Sequence, residues 1–145
     1  MNNVAISATS DQSREVVTAF RGAQDRGDLV EASSYLAEDF TFESPMMKFE
    51  RYQDYLASYE SFRYRIAGLD MISGLYGDGE ATLVYDLHTG MPVGTQRTAE
   101  HFRLAENKIS AIVVIFDATR WQPIMDAVGY PPAARKLEGP EAIRL

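Results

Sequence analysis

Asp86, His88 and Glu100 are the residues whose types and spacing could move protons in this chain. Each lies in a segment that alternates like a strand, Glu80–Thr89 or Thr95–Ala105, so that side chains two apart share a face. One face of the first segment carries Thr82, Val84, Asp86 and His88. One face of the second carries Gln96, Thr98, Glu100, Phe102 and Leu104. A hairpin closing around Pro92 lays these even-numbered sets side by side, with Asp86 and Glu100 as direct or diagonal neighbours and His88 nearer the open end. Two carboxyl groups close together in an apolar setting cannot both ionise. One keeps its proton and can donate it, the other accepts one, and His88 can take either part. Such a set suits enolisation, dehydration, ring closure or epoxide opening.

The same segments allow another arrangement. The odd face of Glu80–Thr89, with Ala81, Leu83, Tyr85 and Leu87, is the more apolar one and would leave Asp86 and His88 in water. Against this, the odd face of Thr95–Ala105 holds Arg97, His101 and Arg103, a poor core, which favours the even sets as the inner ones. His101 beside Arg103 reads as a surface or interface histidine. Ser44 before Pro45 reads first as a turn residue. Tyr52, Tyr55 and Tyr59 recur at helical spacing, which is packing first, with room for one hydroxyl to reach a pocket. Trp121 closes a pocket mouth or packs the last helix, and Met46 and Met47 form a pliable rim or ordinary filler.

The elements that must position these groups follow from periodicity and capping. A first helix starts near Thr9 or Asp11, buries Val16, Val17, Phe20, Ala23 and Gln24, and ends at Gly27. Asp28 caps a short second helix whose buried stripe is Leu29, Ala32, Tyr35 and Leu36. Residues 40–45 form a short strand. A third helix over Glu50–Tyr64 lacks a good N-cap. From Ile66 the period changes to that of strands: Ile66–Tyr76 with breaks at Gly68 and Gly74, a turn at Gly77-Asp78-Gly79, then Glu80–Thr89, Thr95–Ala105 and Ile109–Asp117. A short helix carrying Trp121, Ile124 and Val128 follows. Residues 1–10 are expected to be a flexible N-terminus, 11–129 a single domain and 130–145 an extended tail.

Composition narrows the function. The 145 residues include no cysteine, which removes thiolate nucleophiles, disulfides and cysteine-held zinc. Fourteen basic against 21 acidic residues give a net charge of −7, which repels phosphate backbones, so no nucleic-acid partner is expected. No apolar run is long enough for a membrane span and the first ten residues lack a secretory pattern, so a cytoplasmic location without membrane attachment is expected. Phosphate-binding glycine loops, a Ser–His–Asp order and metal-ligand spacing are absent, and neither metal nor cofactor is expected.

Helices first and strands second mark an α+β domain. Three helices and a long antiparallel sheet pack together if the sheet is strongly bent around them, which leaves a conical cavity. Gly27-Asp28-Leu29 through Phe42-Glu43-Ser44-Pro45, Glu100-His101-Phe102-Arg103, Asn107-Lys108-Ile109, and Phe116-Asp117 before Trp121 together resemble the nuclear transport factor 2-like superfamily. Within it they look most like ketosteroid isomerase and the SnoaL-like polyketide cyclases. The resemblance covers about residues 11–121. It implies a cone fold, frequent homodimers and a pocket between the helices and the concave sheet. It also puts the isomerase's oxyanion tyrosine at Phe20, its general-base aspartate at Ser44 and its second oxyanion donor at Glu100. Two of those three groups are lost, so steroid isomerisation itself is not expected. Of the aspartates and arginine of limonene epoxide hydrolase, only one aspartate has a counterpart, at Asp86, while the arginine falls at Val84. The expectation is a small cofactor-free enzyme acting by acid–base chemistry on a small hydrophobic, polyketide- or terpenoid-like molecule. Glu100 and Asp86 would carry the chemistry and His88 assist. Phe20, Phe42, Ser44, Tyr55, Tyr59, Val84, Phe102, Ile112, Val114, Phe116 and Trp121 would shape the pocket. The alternative is a non-catalytic binding or dimerisation module of the same fold. A homodimer is expected through an outward patch of Leu83, Tyr85 and Leu87.

Overall fold

The computed structural model describes residues 8–128. The first helix, α1 (Ser10–Arg26), opens with a reciprocal capping box between Thr9 and Gln12. It closes at Gly27, whose φ of 73° is left-handed. A side chain at Gly27 would also collide with the Arg63 guanidinium, 2.6 Å from an ideal Cβ. α1 buries Ser13, Val17, Phe20, Ala23 and Gln24 on one stripe. Ala8 is buried and Thr9 is the cap, both within the segment 1–10 that the sequence suggests is flexible. The extended tail expected over 130–145 lies outside the described residues.

Asp28 caps α2 (Leu29–Ser34) through its side chain, and the chain turns at once into β1 (Leu36–Glu43). The sequence suggests that Tyr35 and Leu36 continue the helix and that the strand starts at Phe40. A distant partner decides otherwise: Leu36 pairs with Ile109, and the Ile109 N–H donates to the Tyr35 carbonyl at 2.8 Å. The Ser44 hydroxyl then accepts from the Met46 and Met47 backbone N–H groups, folding the chain back into β2 (Lys48–Phe49). α3 (Tyr52–Arg63) starts without a side-chain cap and buries Tyr55 and Leu56.

Four strands complete the sheet: β3 (Ile66–Gly77), β4 (Glu80–Thr89), β5 (Thr95–Ala105) and β6 (Lys108–Phe116). α4 (Trp121–Val128) follows. The strand order is β2-β1-β6-β5-β4-β3. The sheet is curved and wraps the N-terminal helices, as an α+β cone requires. It is antiparallel except where β1 runs parallel to β6. β3 is bulged next to Gly68 and again between Met71 and Ser73, which lets this long strand bend. Val17, Phe20 and Ala23 of α1, Leu56 of α3 and Phe40 of β1 fill the narrow end of the cone against Ala81, Leu83, Phe102, Ile109 and Ile112 of the sheet. No helix among the described residues is long and apolar enough to cross a membrane.

One register differs from expectation and moves the site. β4 and β5 close with His88 opposite Thr95, and Thr89 N–H donates to the Gly94 carbonyl. The hairpin is therefore centred between Met91 and Pro92, not on Pro92. Odd residues of β4 sit beside even residues of β5: Leu83 opposite Glu100, Tyr85 opposite Thr98, Leu87 opposite Gln96. A half-residue change of centre shifts the register by one residue and exchanges the faces of one strand. Val84, Asp86 and His88 consequently lie on the outer face. Leu83 and Tyr85 are buried inside the cone and Leu87 lines its cavity, so these three do not form an outward patch.

Candidate functional site

The open half of the cone is a cavity of about 170 Å³. Its walls are apolar: Phe42 and Phe49 from the β1–β2 turn region, Met46 and Met47 at the rim, and Leu87, Val114 and Phe116 from the concave sheet. Phe42 stacks on Tyr55, with ring centroids 4.6 Å apart. Trp121 of α4 closes one side. Its indole N–H donates to Gln96 Oε1 at 2.7 Å, and its ring meets Phe62 and Phe116. This contact ties the last helix to the sheet across the cavity.

The polar groups gather at the floor. Glu100 is 2% exposed and comes from the middle of β5, opposite Leu83. Its Oε1 accepts from Arg21 Nη1 at 2.5 Å and from the Tyr85 hydroxyl at 2.8 Å. Arg21 reaches down from α1, one helical turn from both Val17 and Gln24, and lies over the Tyr85 ring. Glu100 Oε2 has no hydrogen-bond partner among the described residues. Tyr55 and Tyr59 of α3 overlook this pair. Gln24 Nε2 donates to the Tyr55 hydroxyl at 2.9 Å, and the Tyr59 hydroxyl reaches Asp25 at 3.4 Å.

The surroundings tune these groups. Burial works against the Arg21 charge, but Glu100 foremost, then the tyrosines, hold its guanidinium well above its ordinary range. Burial, reinforced by the Glu100 charge, pushes the Tyr55 and Tyr85 phenols up. Burial pushes Tyr59 up to about 12, with Arg21 opposing and Asp25 adding to the shift. A protonated phenol at each position keeps O–H donors around the carboxylate.

Glu100, Phe42, Ser44, Tyr55, Tyr59, Val114, Phe116 and Trp121 line the cavity. The Ser44 hydroxyl is committed to its turn. Phe20, Phe102 and Ile112 are fully buried in the packed narrow end and do not line the cavity. Val84 is on the outer face. So is Asp86, gripped through both oxygens by Arg97 at 2.8 and 2.9 Å, which holds its carboxyl below the usual range. His88 sits there too, with Nδ1 on Thr95 and Nε2 on Asp70. Asp86 and Glu100 are on opposite sides of the sheet, so the expected carboxyl pair does not form. An arginine takes its place. Arg21 and Tyr85 are the groups that sequence reasoning passed over. The signal for Arg21 was its place on the buried stripe of α1, and for Tyr85 its membership of the apolar odd face.

No family model matches this chain, and no curated protein matches it. Solved structures do. A protein from Kribbella flavida DSM 17836 shares 24% identity, with a TM-score of 0.71 over 82% of this chain and 98% of its own. An NTF2-like protein of unknown function from Cytophaga hutchinsonii shares 21%, with a TM-score of 0.63 over 86% and 99%. A second Kribbella flavida protein, provisionally assigned as a ketosteroid isomerase, shares 18%, with a TM-score of 0.61 over 74% and 79%. The fold is the nuclear transport factor 2-like cone.

Two expectations test this floor. Replacing Arg21 with Met leaves a buried carboxylate without its cation and should cost ~3–5 kcal/mol in urea unfolding. The double replacement R21M/E100M should recover a large part of that loss, and strictly additive losses would mean the two groups do not interact. For pH, the folded Tyr59 holds its proton to about 12, whereas an unfolded tyrosine loses it at 10.0. Its contribution to stability should be complete below pH 10.0 and disappear as pH rises through 12. Difference titration of tyrosinate absorbance against Tyr59→Phe checks this. A midpoint at the ordinary value contradicts the burial described for Tyr59.

Proposed function

We propose that the protein is a small enzyme that uses Glu100 as a general base on a hydrophobic molecule held in the cone. The observation that carries this reading is the Glu100 carboxylate at the floor of an apolar cavity, with Oε1 fixed by Arg21 and Tyr85 and Oε2 unpartnered. Fixing one oxygen orients the other for proton transfer. With a ketone bound, Oε2 takes a proton from the carbon beside the carbonyl. The negative charge that develops on the carbonyl oxygen is met by the remaining Arg21 N–H groups and the Tyr55 O–H, donors already in place before the charge appears. Glu100 then returns the proton to the same or another carbon. The step needs only protein groups.

Deuterium exchange into single-ring cyclic ketones, followed by NMR in deuterated buffer, tests the base. The protein should accelerate exchange over buffer, and Glu100→Gln should lower the rate about 10²–10⁴-fold. Equal rates for the two proteins would remove Glu100 from the role. A second reading has its own support: the ion pair with Arg21 already neutralises Glu100, as suits a pocket that binds without reacting. Ring binding with no exchange in either protein would make this a binding module.

We also propose a homodimer through the outer sheet face, where Leu75, Ile115 and Val113 are 68%, 61% and 37% exposed. Ile115→Asp should shift the protein from dimer to monomer in sedimentation velocity. A wild-type monomer at micromolar concentration overturns the assembly.

A further inference from the structure

The cavity floor also constrains what can occupy it, and this inference rests on the proposed use of the cone as a small-molecule site. We propose that the preferred occupant is an uncharged, single-ring molecule carrying a hydroxyl and a carbonyl on neighbouring carbons.

Size comes first. A cavity of about 170 Å³ is close to the ~150 Å³ that accommodates a benzene ring in an apolar protein interior. Charge comes second. Arg21 and Glu100 touch at 2.5 Å with side-chain exposures of 17% and 3%, so the floor is neutral as a unit. A carboxylate ligand gains Arg21 but faces Glu100 Oε2. An ammonium ligand gains Oε2 but faces the guanidinium. Either one would surrender its hydration for a partner already half satisfied. Hydrogen bonding comes third. Glu100 Oε2 is an acceptor without a partner among the described residues, and so calls for an O–H. Arg21 gives Nη1 to Glu100 and keeps further N–H groups on the cavity side, and the Tyr55 oxygen takes its bond from Gln24, leaving its own O–H free to donate. These donors call for a carbonyl. Acceptor and donors belong to one contact pair, so the hydroxyl and carbonyl that match them must be adjacent as well.

NMR titration of the full chain with five rings of one skeleton decides the matter: methylcyclohexane, cyclohexanone, 2-hydroxycyclohexanone, cyclohexanecarboxylate and cyclohexylammonium. 2-Hydroxycyclohexanone should bind roughly tenfold more tightly than cyclohexanone, the value of a hydrogen bond to a charged group. Both ions should bind more weakly than cyclohexanone. Glu100→Gln should turn the preference towards the carboxylate and Arg21→Met towards the ammonium, with methylcyclohexane binding reporting that each variant still has its cavity. The proposal fails if either ion matches the hydroxyketone on the unaltered protein, if the hydroxyketone binds no better than cyclohexanone, or if no ring binds. Preference without deuterium exchange would remove the base and leave this selectivity standing. Exchange without preference would do the reverse.

Discussion

The contact between Arg21 and Glu100 is the interaction on which the site depends. It joins the first helix to the fifth strand across 79 positions of sequence, and it puts two full charges where the surrounding side chains are aromatic or aliphatic. Separately, each charge would be too costly to bury. Together, with Tyr85 completing the carboxylate oxygen on one side, they form a polar floor that the apolar walls can enclose. The tyrosines of α3 stand above it with their protons held by burial. The cone therefore has two ends of different character: a packed narrow end built on Phe20, Phe102 and Ile112, and an open end whose floor is an ion pair.

This arrangement differs from the mechanism that resemblance alone suggests. The resemblance puts the isomerase's tyrosine and general-base aspartate at Phe20, which is part of the packing, and at Ser44, which holds a turn. Of the three positions that the resemblance singles out, Glu100 is the one that lines the cavity with its carboxylate, and its partners are Arg21 and Tyr85. A cone fold fixes where a cavity lies, while the polar side chains inside it are set residue by residue. The three solved structures described above share the cone at identities of 24%, 21% and 18%, which carries the architecture and leaves the floor to be read from this chain alone.

Much of the architecture was legible because it is locally encoded. The capping box at Thr9, the left-handed stop at Gly27, the Asp28 cap and the limits of β4 and β5 all follow from short-range chemistry. β1 was misplaced at its start because its first pairing partner, Ile109, is far along the chain. β2 was missed because two residues carry no period. The site was legible in one of its three principal members. Glu100 stands out as an acid on an otherwise apolar or neutral face. Asp86 and His88 were drawn inward by a hairpin centre wrong by half a residue, a distinction that the loop residues 90–94 do not encode. Arg21 went unremarked, since a long cationic side chain reads the same on the rim of a buried stripe as in water.

The topology has a consequence for how the chain reaches this state. Among the described strands β6 is the last to be synthesised, yet it lies between β1, the first, and the β3–β5 meander. Until it arrives, Leu36, Phe40 and Phe42 have no sheet neighbour on that side, and the helices close over an incomplete wall. The meander can form from local hairpins, but joining it to the N-terminal half requires a contact that loops across some 70 residues. The cone should therefore close in one late step. A chain halted before β6 would expose the same aromatic side chains that later wall the cavity, and so present a sticky surface to other nascent chains.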